Sequence, residues 1–136
     1  MKVSSAKEDI QVHLVGKIDR EIYKCITADI VTDRVIITDE RVAHIKERHP
    51  NDYERFCSYI SEIIDNPDYI IEANRPNTAV ILKEINRNGE KFKLILRIKI
   101  ENDPEDYENS IVSFWHIGET TWRKTLKNKK ILYKRE

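Results

Sequence analysis

The hydrophobic period changes once along the chain, and that change limits the fold more than any other feature. Between residues 52 and 65, Tyr53, Phe56, Cys57, Ile60, Ile63 and Ile64 recur at three- and four-residue intervals. That spacing lines side chains along one face of an α-helix. Asn66-Pro67 then stops the helix, because proline has no amide proton to donate and its ring clashes with the preceding turn. Beyond it the period is two. Residues 68–73, 78–85, 91–100 and 110–117 read as four strands, and Asn86-Arg87-Asn88-Gly89 supplies a hairpin turn from residues that tolerate positive φ. In the third strand Phe92, Leu94, Leu96, Ile98 and Ile100 form a core face; Lys91, Lys93, Ile95, Arg97 and Lys99 form a basic one. In the fourth, the same alternation groups Ile111, Ser113, Trp115 and Ile117 against Val112, Phe114 and His116.

Upstream, residues 12–15 and 21–26 read as a loose strand pair around Gly16, and 34–37 as a third short apolar run. Thr38 caps a helix whose first turn carries Asp39 and Glu40, and Pro50 ends it. Residues 119–126 read as a short helix and 130–134 as a last strand or tail. The expected class is α+β. N-terminal short strands and two helices precede a four-stranded antiparallel sheet, with a short C-terminal helix after it. A length of 136 residues suits a single domain over 1–136, with 1–9 expected to be an N-terminal tail.

Composition narrows the function. Hydrophobic residues make up 40% and charged residues 35%, a globular balance. No apolar run approaches the roughly 20 residues of a membrane helix, and the N-terminus lacks a secretion-signal core, so a cytoplasmic location is expected. Cys25 and Cys57 form no Cys-x-x-Cys motif and read as free thiols. The 24 basic and 24 acidic residues cancel, yet they segregate. Residues 91–99 hold four cations and no acid, 101–108 hold five acids and no base, and 123–136 hold seven bases against one acid. Encounter with a polyanion depends on such local patches, although charge alone reads them first as ordinary solvated faces.

Several side chains have the right chemistry for phosphate. A helical projection groups Arg41, His44 and Arg48 in one stripe beside an apolar stripe of Val42, Ile45 and His49. Beside two arginines, His44 is a candidate proton-transfer group at a phosphate. The alternative is an exposed helix histidine with no role. His49 is expected to be structural, at the helix C-terminus. The two histidines lie five residues apart, off the i,i+4 spacing that shares one ion, so no metal site is expected. Arg97, with Lys93 and Lys99, can clamp a phosphate or form an ordinary polar sheet face. Ser113 can hydrogen-bond a phosphate and Trp115 can stack on a base, or both can simply cover the sheet. The G-x-S-x-G, Walker and G-x-G-x-x-G motifs are absent. The residues permit metal-independent RNA cleavage, which needs only a base, an acid and cations around the phosphate.

The segments ITDERVAHIKERHP (37–50), NDYERF (51–56), NPDYIIE (66–72), PNTAVILKEI (76–85), LILRIKI (94–100), NSIVSFWHI (109–117) and NKKILYK (128–134), with GKIDREIYK (16–24) upstream, cover most of the chain. Together they resemble a phage- and prophage-associated group in the barnase–EndoU–colicin–RelE-like (BECR) nuclease superfamily. The pairing of H-I-x-x-R-H-P with a later S-F-W strand carries the resemblance. It implies N-terminal helices before a four-stranded antiparallel sheet, and a metal-independent RNase with toxin or effector roles. The RNase that the resemblance implies needs no cofactor and acts on RNA, with tRNA as a candidate and a cognate inhibitor protein as a further expected partner. The polar positions matching the group are His44, Arg48, His49, Arg97, Ser113 and Trp115. On this reading His44 is the general base or acid, Arg48 and Arg97 hold the scissile phosphate, and Ser113 orients it. Trp115 stacks on a base, while Lys93, Lys99, Lys127, Lys129 and Lys130 guide the backbone. The alternatives are a non-catalytic RNA- or protein-binding module, or a phage structural component that keeps the fold.

Overall fold

In a computed structural model, residues 11–136 are described; the tail expected at 1–9 lies outside them. The elements run β1 (Val12–Lys17), α1 (Arg20–Tyr23), β2 (Arg34–Thr38), α2 (Asp39–Arg48), α3 (Asp52–Phe56), α4 (Ile60–Asp65), β3 (Tyr69–Ile71), β4 (Thr78–Ile85), β5 (Glu90–Arg97), β6 (Asn109–Ile117), α5 (Glu119–Asn128) and β7 (Ile131–Lys134). All seven strands join one mixed sheet in the order β1-β2-β6-β5-β4-β3-β7. The α+β class is therefore observed, but the four-stranded sheet is not. The antiparallel meander β3-β4-β5-β6 forms its centre. β7 adds to β3 at one edge, and β2 joins β6 in parallel at the other, carrying β1 outside it.

Three local expectations fail for identifiable reasons. Residues 21–26 are not a strand: the Asp19 carboxylate caps Glu21 N–H and starts α1. The helix expected over 52–65 is broken into α3 and α4 by a 3₁₀ turn, Cys57–Tyr59; Tyr53, Phe56, Ile60, Ile63 and Ile64 of its stripe still face the core, whereas the turn leaves Cys57 exposed. In β6 a bulge opposite Ile95 and Leu96 inserts Val112. Because a bulge adds one residue to the alternation, Ile111 moves onto the core face with Phe114.

Helices and sheet bury a core built from Tyr23, Val35, Ile45, Phe56, Ile60, Ile63, Ile81, Phe92, Leu94 and Phe114. The opposite sheet face is covered only in part. There α5 lays Trp122 and Leu126 on Ile71, Leu82 and Ile117. The rest of that face stays open.

α2 owes its place to the shortness of the β2–β6 pairing, which spans only Val35–Asn109 and Ile36–Ser110. The Thr38 hydroxyl then accepts from Arg41 N–H and turns the chain into α2, which packs against β6. α2 therefore lies along the border of the open face.

Candidate nucleic-acid interface

The open face is a groove of about 1300 Å³. Its floor is apolar, made by Ile71 of β3, Val80 of β4, Ile95 of β5 and Val112 of β6. Its rim is cationic: Arg41 of α2, Arg75 of the β3–β4 loop, Lys93 of β5, and Lys124 and Lys129 from α5 and its C-terminal end. Among the described residues none of these five forms an ion pair. Glu72 is the carboxylate on the rim, and it is engaged by the Lys130 amide at 3.1 Å.

Arg97 also lines the groove, but it is held. Its guanidinium makes a two-pronged pair with Asp103 at 3.0 and 3.1 Å and donates to the Ile98 carbonyl. Lys99 does not line the groove; its ammonium donates to the Glu105 carbonyl of the acidic 101–108 loop at 2.8 Å. Lys91 is tied to Glu84 and Glu119. Of the expected basic strand face, Lys93 is the cation left unpaired among the described residues.

Beside the groove lies an aromatic cluster. Cross-strand pairing sets Lys93 opposite Trp115, and the Lys93 ammonium is 5.4 Å from the centre of the Trp115 ring. The His49 imidazole stacks on Trp115 with centroids 4.6 Å apart and planes 3° from parallel. His49 is the C-cap of α2, its amide bonded to the Ile45 carbonyl at 2.8 Å, so the ring is aimed by the helix end. Burial holds the imidazole below its usual pKa; Arg48 and His44 press it the same way, and Asp52 pulls against them. Burial also lowers the Lys93 ammonium, with the Lys129 charge adding to it. Both groups are thus shifted toward their neutral forms.

The structure thus brings His49 and Trp115 together beside Lys93 of the groove rim. His44 and Arg48 lie on α2 upstream of His49, and neither lines the groove. Ser113 pairs across from Ile95, beside the floor. Lys129 lines the rim, whereas Lys127 and Lys130 are exposed and lie off it. Arg75, Lys124 and Tyr107 line the groove without having been singled out in the sequence. Arg75 stood alone in its segment, Lys124 was one charge among seven, and Tyr107 sat in an acidic loop. Among the described residues no three His, Cys, Asp or Glu side chains gather as a metal site, and no helix is long and apolar enough to cross a membrane.

A half-covered sheet with an apolar floor, a cationic rim and a histidine–tryptophan–lysine cluster has the chemistry of a nucleic-acid-handling domain. The chain belongs to the phage-Barnase-EndoU-ColicinE5/D-RelE like nuclease 2 family, PBECR2, whose model matches residues 11–134. That membership suggests a phage-associated nuclease of the BECR type with a nucleic acid as substrate. No curated protein and no solved structure matches the chain.

Proposed function

We propose that the protein is a metal-independent endoribonuclease, toxin-like in its role, that cleaves RNA by internal transesterification. The observation that carries this reading is the His49–Trp115–Lys93 cluster, joined through Lys93 to an unpaired cationic rim. His44 and His49 form the acid–base pair. One takes the proton of a ribose 2′-OH as its oxygen bonds to phosphorus. The P–O5′ bond breaks, and the other returns a proton to the leaving 5′ oxygen. The products are a 2′,3′-cyclic phosphate and a 5′-OH. Lys93 and Arg48 oppose the charge that builds on the phosphoryl oxygens. Ser113 orients the phosphate and Trp115 contacts a flanking base. His49, expected to be structural, enters the proposed site because its ring lies against Trp115, which in turn meets Lys93 of the rim.

The test incubates the purified protein with mixed tRNA in EDTA beside His44→Ala, His49→Ala and Arg97→Ala, and analyses product ends. Cyclic-phosphate ends that fall at least about 100-fold in either histidine variant are expected, the usual scale of general acid–base catalysis. Arg97→Ala is expected to lose less, since Asp103 already holds that guanidinium. RNA bound but left intact at every protein concentration would replace the nuclease by a binding module.

A further inference from the structure

His49 is stacked on Trp115, but a stack alone does not fix a ring at the end of a helix. The chain after it does. Pro50 and Asn51 make a tight turn, with Asn51 at φ 72°, and Asp52 opens α3. The Asp52 amide bonds back to the His49 carbonyl at 3.1 Å. Its carboxylate Oδ2 accepts the His116 backbone N–H at 3.0 Å. His116 follows Trp115 directly on β6. Past Ser110 the parallel pairing with β2 has ended, so this outward amide has no strand partner. One carboxylate thus joins the turn that carries His49 to the strand that carries Trp115.

We propose that Asp52 is the positioning residue of the His49 site, clipping the α2–α3 turn to β6 so that the imidazole is held against Trp115 with the Asp52 carboxylate as a fixed charge in the turn. The proposal rests on His49 as a proton-transfer group, and adds to it the residue that sets its register and its charge state. The groups around the ring are Asp52 from α3, His44 and Arg48 from α2, and Trp115 from β6, with Lys93 of β5 beyond the indole. Of these, Asp52 is the anion. Without it, burial and two cation-forming neighbours act unopposed on the imidazole.

Two variants separate the clip from the charge. Asp52→Asn keeps an oxygen that can accept from the His116 amide but removes the charge. Asp52→Ala removes both. The first readout is the NMR titration of the His49 ring, which needs no RNA. In Asp52→Asn the midpoint is expected to move to lower pH with the fold and the Trp115 ring-current shift on His49 retained. In Asp52→Ala that ring-current shift is expected to collapse. The second readout is the pH profile of cleavage: the limb governed by His49 moves to lower pH in Asp52→Asn. A His49 midpoint unchanged in Asp52→Asn, or an unchanged ring-current shift in Asp52→Ala, would overturn the proposal. Absence of cleavage in the wild type would instead overturn the nuclease reading, and the NMR titration would still decide whether Asp52 governs His49. If Asp52→Ala fails to fold, Asp52→Asn alone decides.

Discussion

Arg97 lines the groove, yet its hydrogen bonds go to a carboxylate and a backbone carbonyl. Asp103 accepts from the Ile100 amide and from two guanidinium nitrogens, and these bonds hold its carboxyl below its usual pKa of 3.8. A depressed carboxyl stabilises the fold above its unfolded pKa, and that contribution is lost as pH falls through the folded pKa. Asp103→Asn keeps an acceptor for the Ile100 amide and removes the charge. The variant is expected to be less stable than wild type at pH 7, with the gap closing below about pH 3.9, where the unfolded carboxyl protonates. Urea midpoints measured for both proteins from pH 7 to pH 2 decide it; a gap that stays constant over that range would show that the charge contributes nothing. The sequence showed a basic strand beside an acidic loop, but not that the two would pair. Patterning assigns a face, whereas partners depend on where a loop folds back.

At the scale of elements, the least conventional join is the short parallel contact of β2 with β6. Asn109 holds it from a fully buried position. Its amide nitrogen donates to the Thr32 and Arg34 carbonyls at 2.7 and 2.8 Å, and its oxygen accepts the Lys99 amide at 2.7 Å. One side chain thereby satisfies three backbone groups where two strands and a loop converge. Asn109→Leu leaves all three unpaired, and each costs about 1–3 kcal/mol when buried. A loss of about 3 kcal/mol in urea unfolding is expected, and one below about 0.5 kcal/mol would remove Asn109 from that role. Nothing in the sequence marked this asparagine, because its value lies in groups distant along the chain. The central strands were legible because long alternating runs have a distinct period: β4 matches its expected bounds, 78–85, and β5 and β6 differ by a few residues. The segment 21–26 was too short to separate period two from a helical turn. The bulge at Val112 left no mark in the pattern of β6, so the face of Ile111 was misread.

For the molecule as a whole, a formal charge of zero conceals a strong separation of charge. The rim cations Arg41, Arg75, Lys93, Lys124 and Lys129 come from a helix, a loop, a strand and the last helix with its C-terminal end. Only folding gathers them, which is why the sequence pointed to Lys93 and Lys129 but passed over Arg75 and Lys124. The five are unpaired among the described residues, so RNA binding through this groove must release the counterions of the phosphates they contact. Single-stranded binding loses about 0.7 in the logarithm of affinity per tenfold rise in salt for each phosphate neutralised. Five such contacts give a slope of about −3.5. Arg75→Ala and Lys124→Ala are each expected to flatten it by about 0.7, measured by fluorescence anisotropy with an unstructured RNA between 50 and 300 mM salt. Lys127→Ala, which removes an exposed cation off the rim, is expected to leave the slope where it was. Equal effects of Lys124→Ala and Lys127→Ala would mean that RNA samples the basic C-terminal segment as a whole. The groove would then have no special claim on the backbone, and the contact of the His49 cluster with its rim through Lys93 would carry no weight for where the strand is cut.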